Sequence, residues 1–166
     1  MKAGRYLRAL MLPFAIALAA CSTQAASEQT APESLPTDAV HPVSGLEVIV
    51  LKVTSGERTH GFQVEVAATR EQQRQGLMFR TSMGPDEGML FPLERVRMAS
   101  FWMRNTVIPL DIIFIGPDNR ILNIAEHTTP YSEDSIPSIA PAKAVLELNA
   151  GRTAELGIAP GDLVEW

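Results

Sequence analysis

From Leu46 onward the chain alternates short runs of β-branched and aromatic residues with turns rich in Gly, Pro, Asn and Asp, which leaves no room for long helices. In the first run Val48, Val50 and Lys52 fall on one face and Ile49, Leu51 and Val53 on the other. That alternation is the period of a strand. Ser55-Gly56 turns the chain into a second run, Thr59 to Ala67, where Phe62, Val64 and Val66 share a face, so the two runs predict a hairpin. Thr69 offers a helix N-cap with Gln72 three residues on, and Gly76 can stop the helix, which predicts a short helix over Arg70 to Gln75. Further strands are expected at Met89–Phe91, Met98–Met103, Leu110–Ile115, Arg120–Glu126, Ala144–Leu148 and Leu163–Trp166, with one helical turn at Thr153–Leu156. The fold class is therefore mainly β (α+β): a small barrel-like curled sheet with one or two short helices.

The segment before Leu46 has a different character. Lys2, Arg5 and Arg8 precede an apolar run from Ala9 to Ala20, the order of a secretory signal peptide. As a helix that run is too short to span a bilayer, which takes about 20 residues. It ends in Leu18-Ala19-Ala20-Cys21, which resembles the bacterial lipobox, and Cys21 is the only cysteine of the chain. The expectation is a signal peptide over 1–20, a Cys21 carrying palmitate-type acyl chains, and a flexible tether over 21–45. Ser22–Gly45 has Pro32, Pro36 and Pro42 among small and polar residues with no hydrophobic period. An ordinary signal cut after Ala19 or Ala26 is the simpler alternative. By the same resemblance, Ser22 after the cysteine suggests an outer-membrane destination in a two-membrane cell. The protein is thus expected to be exported and membrane-anchored in the periplasm or cell envelope, with residues 46–166 as its single domain.

Charge narrows the partners. Loss of Lys2, Arg5 and Arg8 would take the net charge from −5 to −8. Such an acidic chain lacks the clustered cations that phosphate backbones or anionic lipid surfaces require, so no nucleic-acid partner is expected.

Four blocks stand out in the middle and end of the chain. Gly76-Leu77-Met78-Phe79-Arg80 comes first and Gly88-Met89-Leu90-Phe91 second. Phe101-Trp102-Met103-Arg104-Asn105-Thr106 follows, with Ile108-Pro109-Leu110-Asp111-Ile112, and Val145-Leu146-Glu147-Leu148-Asn149-Ala150-Gly151 closes the series. In order and spacing these resemble the signature blocks of the domain of unknown function 192 family, over nearly all of Val48 to Val164. The resemblance implies a compact, mostly β domain, commonly exported in bacteria, with no established reaction. Arg104 departs from the lysine more usual there, and arginine cannot serve as a base because it does not deprotonate.

Within these blocks Asp111 lies in Leu110-Asp111-Ile112-Ile113-Phe114-Ile115, apolar on both faces, and Glu147 lies between Leu146 and Leu148. Carboxylates among such neighbours need partners. Arg80 and Arg104 are the candidate cations, and Asn105, Thr106 and Asn149 can satisfy remaining lone pairs. One reading makes these residues a buried network that closes the barrel. The other makes them a pocket, in which Arg80, Trp102, Arg104, Asn105, Thr106, Asp111, Glu147 and Asn149 hold a small polar ligand with Phe101 and Trp102 as stacking faces. A hydrolase or lyase acting on envelope glycans would use Asp111 and Glu147 as acid and base.

Other chemistries have less support. His41, His60 and His127 show no ligand spacing for zinc. Met78, Met83, Met89, Met98 and Met103 could offer thioethers to Cu(I), but irregularly, and methionine is a common core filler. No metal and no cofactor is expected, and no Gly-x-Ser-x-Gly, P-loop or dinucleotide motif occurs. The long loop Thr128–Pro141, with Tyr131, Glu133 and Asp134 at its tip, is either a lid or a surface connection. The sequence thus favours a ligand-binding or interaction module of the envelope over an enzyme, with a pure scaffold as the remaining class.

Overall fold

The computed structural model describes residues 39–166. The expected signal peptide, Cys21 and the tether up to residue 38 lie outside the described residues. The chain order is β1 (Val48–Ser55), β2 (Arg58–Val66), α1 (Arg70–Gln75), β3 (Glu87–Arg97), β4 (Ser100–Phe101), β5 (Leu110–Ile115), β6 (Ile121–Ala125), β7 (Ile136–Pro137), β8 (Ala142–Asn149), α2 (Arg152–Leu156) and β9 (Leu163–Glu165). Seven strands form one sheet in the order β6-β5-β8-β3-β2-β1-β9, and β4 pairs with β7 apart from it. All pairs are antiparallel except β2 with β3, whose crossover carries α1.

The sheet is a strongly curled half-barrel, and its two ends show why. Arg120 bridges Leu163, the N–H of Ile121 donates to the carbonyl of Asp162, and that of Val164 donates to the carbonyl of Asn119. The edge strand β9 is thereby tied to the turn before the opposite edge strand β6. Inside the curl lie Leu51, Val53, Phe62, Val64, Leu90, Ile113, Ile115, Leu146, Leu148, Ile158 and Val164.

A second core covers the outer face of β3, β8 and β5. Met89, Phe91, Leu110, Ile112, Phe114 and Val145 are buried there beneath Leu77, Ala99 and Met103. Phe101 from β4 sits edge-on between Phe91 and Phe114, with ring centroids 5.1 and 6.1 Å away. β5 is therefore buried on both faces, which accounts for its unbroken apolar run. Burying both faces of these central strands makes every residue on β5 and β8 a candidate for unusual chemistry.

Local chemistry explains both helices. Thr69 and Gln72 form the reciprocal capping box at α1, and Gly76 ends it. Nε2 of Gln73 donates to the carbonyls of Ala67 and Pro92, pinning α1 beside β3. α2 begins after Gly151, at φ 83°, with no capping side chain of its own. Its cap comes from across the sheet, as described below.

The sequence places strand boundaries less well than elements. The run expected as a strand over Met98–Met103 pairs only at Ser100–Phe101, because the chain turns at Asn105 (φ 55°) with the N–H of Thr106 donating to the carbonyl of Met103. β3 runs to Arg97, well past the expected Phe91, as an exposed arm. The Thr128–Pro141 loop supplies β7. Val40 bridges Glu47, and the N–H of Val48 donates to the carbonyl of Ala39, so the last residues of the expected tether lie against the domain.

Candidate functional site

Register decides which side chains can meet. Across the sheet, Glu65 of β2 stands beside Met89 of β3, Met89 beside Glu147 of β8, and Glu147 beside Ile112 of β5. Cross-strand partners point to one face, so Glu65, Met89, Glu147 and Ile112 form a row on the outer face. Asp111 pairs with Leu148 and so points the other way. The two carboxylates singled out as an acid and base pair do not share a cleft.

Glu147 is 5% exposed and has no hydrogen-bond partner among the described residues. Gly88 helps to make this setting. A Cβ there would stand 2.6 Å from the carbonyl oxygen of Glu147 and 2.8 Å from Leu148 Cδ2, so only glycine lets β3 lie this close to β8. Burial among apolar neighbours disfavours the charged carboxylate and pushes the Glu147 carboxyl up to about 8. At neutral pH its O–H is a hydrogen-bond donor.

The Glu147 carboxyl forms part of the floor of a cleft of about 1410 Å³. One wall is the face of α1 that carries Arg70, Gln73 and Arg74, at helical i, i+3, i+4 spacing. Another is the β3 arm, from which Phe91, Leu93, Glu94, Arg95 and Arg97 line the cleft across a bulge that shifts the pairing register between Pro92 and Arg97. Phe101, Trp102, Arg104, Asn105 and Thr106 form the third wall, with Glu133 and Ser135 from the long loop. Trp102 is half exposed, with the Arg104 guanidinium 5.6 Å from its ring centroid. Arg104 also approaches Glu133, Nε to Oε1 at 3.8 Å. The N–H of Phe79 donates to the carbonyl of Asn105, and both residues hold positive φ, 62° and 55°. Asparagine tolerates that conformation better than phenylalanine, so the backbone strain falls on Phe79, which does not line this cleft.

Residues 51–166 match the DUF192 family, described as an uncharacterized ACR. The chain belongs to that family. Two solved structures show the same fold. A protein of unknown function from Novosphingobium aromaticivorans DSM 12444 is 53% identical with a TM-score of 0.77, the match covering 80% of this chain and 94% of that one. A protein from Sinorhizobium meliloti 1021 named a "putative transcription regulator" is 43% identical with a TM-score of 0.71, covering 72% and 94%. Among curated proteins none matches.

Five of the eight candidate residues meet at the cleft of this DUF192 domain: Trp102, Arg104, Asn105, Thr106 and Glu147. The other three are spent on structure. Asp111 is fully buried and accepts four hydrogen bonds: Oδ1 from the N–H groups of His127 (3.0 Å) and Gly151 (3.0 Å), Oδ2 from the N–H (3.0 Å) and hydroxyl (2.6 Å) of Thr153. It is the N-terminal cap of α2, delivered from β5. Asn149 shares a face with Glu147, but its Nδ2 donates to the carbonyls of Met83 (3.1 Å) and Gly84 (2.8 Å).

Arg80 finds a partner that sequence reading missed. Its guanidinium grips Glu65 at both oxygens, at 2.9 and 3.0 Å, and Ser44 Oγ donates to the same carboxylate. His41 Nδ1 lies 3.6 Å from it. Glu65 falls with Gln63 on the polar side of the Phe62–Val64–Val66 alternation, so the local pattern marks it as solvent-facing and gives no sign of its burial. Among the described residues no three His, Cys, Asp or Glu side chains converge to hold a metal ion, and no helix is long and apolar enough to cross a membrane.

Proposed function

We propose that the protein is an exported, envelope-anchored lipoprotein whose DUF192 domain binds a small polar ligand in the cleft above Glu147. The observation that carries this reading is the state of Glu147. Its carboxyl borders the cleft with no hydrogen-bond partner among the described residues, whereas its counterparts Asp111 and Glu65 are fully hydrogen-bonded. A ligand group in the cleft would satisfy it. The half-exposed Trp102, the amide of Asn105 and the arginines of the same cleft supply the mixture of apolar faces and a few directional polar groups typical of ligand sites. Anchoring is supported by the sequence alone, through the cations, apolar run and Leu18-Ala19-Ala20-Cys21 that precede the domain. Glycan hydrolysis by Asp111 and Glu147 as a pair is not part of the proposal, because the two point to opposite faces.

The test is thermal-shift screening of the purified protein against sugars, amines and small acids, since a ligand that prefers the native state raises the melting temperature. At least one compound should stabilise the wild type, and Glu147→Ala should abolish that response. A response that survives the substitution would place the ligand elsewhere.

A further inference from the structure

We infer that the ligand of the cleft is a small organic anion, its acidic group held by Arg74, Arg95 and Arg97 and its apolar body lying along Leu93, Phe101 and Trp102. This rests on the reading of the cleft as a ligand site. The chain is acidic overall, with 14 basic residues against 19 acidic, yet five arginines line this one cleft against three glutamates. Two of those glutamates are engaged. Glu94 accepts from Nε and Nη2 of Arg70 at 3.1 and 3.0 Å, and Glu133 lies 3.8 Å from Arg104. The third, Glu147, is protonated at neutral pH by its burial.

Arg74, Arg95 and Arg97 remain. None of them is within ion-pair distance of a carboxylate among the described residues; Arg97 Nη1 donates only to the Met98 carbonyl. Arg95 and Arg97 both line the cleft from the exposed, bulged end of the β3 arm, and Arg74 lines it from α1, where the neighbouring Gln73 is hydrogen-bonded to Pro92 of the same strand. Guanidinium groups so grouped match the paired oxygens of a carboxylate or phosphate. Between this rim and the Glu147 floor lie Leu93 and Phe101, partly buried side chains of the outer core. A bare inorganic anion would leave them uncovered. The layering asks for a molecule with an apolar middle, an acidic end at the arginines and a hydrogen-bond acceptor for the Glu147 O–H.

The experiment compares three probes of one shape, 3-phenylpropionate, 3-phenylpropionamide and 3-phenylpropylamine, by ligand-observed NMR on the full-length protein. The acid should bind about tenfold tighter than the amide, the worth of roughly one charge-assisted contact. Added salt should weaken it, and the Arg95→Gln/Arg97→Gln variant should bring acid and amide level. If the amide or the amine binds as well as the acid, the anion assignment fails while the cleft stands as a ligand site. If none of the three binds saturably, the anion assignment fails, and a thermal-shift screen in which no compound stabilises the protein would refute the ligand site itself.

Discussion

Asp111 and Glu147 occupy neighbouring rungs of β5 and β8 and point to opposite faces of the sheet, Asp111 opposite Leu148 and Glu147 opposite Ile112. One residue of register thus separates two carboxylates of opposite character. On its own face Asp111 meets four donors from the α2 entrance and the His127 turn. On the other, Glu147 meets none among the described residues and borders the cleft.

Asp111→Ala should therefore be a folding variant. It would leave three backbone N–H groups, that of Thr153 buried, and the buried Thr153 hydroxyl without an acceptor and remove the cap of α2, at a cost on the order of 3–5 kcal/mol. Urea denaturation should show that loss, and Asp111→Asn should recover only part of it, because its NH₂ would face donors. A near-wild-type midpoint for Asp111→Ala would contradict the capping role.

Glu65 is buried, and the largely covered Arg80 guanidinium is joined to it at both oxygens. Removing one partner alone strands a charge, whereas removing both does not. Arg80→Met should cost roughly 3–5 kcal/mol. The double variant Arg80→Met/Glu65→Leu should be considerably more stable than the sum of the single losses allows, giving a coupling of about 1–3 kcal/mol in a double-mutant cycle. Additive losses would mean that the pair contributes no more than its separate parts.

Cys21 is the only thiol and the only residue able to carry the proposed anchor. One acyl chain binds membranes weakly and reversibly, so a stable anchor takes several. In cells, wild-type protein should partition into detergent and Cys21→Ser should move to the soluble envelope fraction. Unchanged partitioning would remove the lipoprotein reading and leave the domain chemistry untouched.

The fold was legible where local rules act alone. The Thr69–Gln72 capping box, the Ser55-Gly56 hairpin and the Leu110–Ile115 strand follow from spacing and turn chemistry, and they stand where expected. The site was legible only in part, because membership in a cleft depends on pairings between distant strands. Alternation marks Asp111 and Glu147 as equally odd, and nothing local says that β5 and β8 align Asp111 with Leu148. Arg95 and Arg97 look like ordinary solvated residues, and only the fold brings them to one cleft with Arg74 of α1. Glu65 was passed over because its partners, Arg80, Ser44 and His41, come from separate segments.

Glu147 should also leave a signature in the pH dependence of folding. Its carboxyl is pushed up to about 8 from an ordinary 4.5, so between those values the folded protein holds a proton that the unfolded chain releases. Stability then falls as pH rises, by up to about 1.4 kcal/mol per unit. The contribution is fully present below pH 4.5 and is lost on the way to pH 8. Summed over the window it is on the order of a few kcal/mol. Glu147→Gln keeps the shape and cannot ionise, so it lacks this slope. Urea titrations of both proteins at intervals from about pH 5 to pH 8 should show wild-type stability declining relative to the variant, with every other titrating group cancelling in the comparison. Parallel profiles would mean that the carboxyl is solvated or paired in solution, and the ligand site would lose the feature on which it rests.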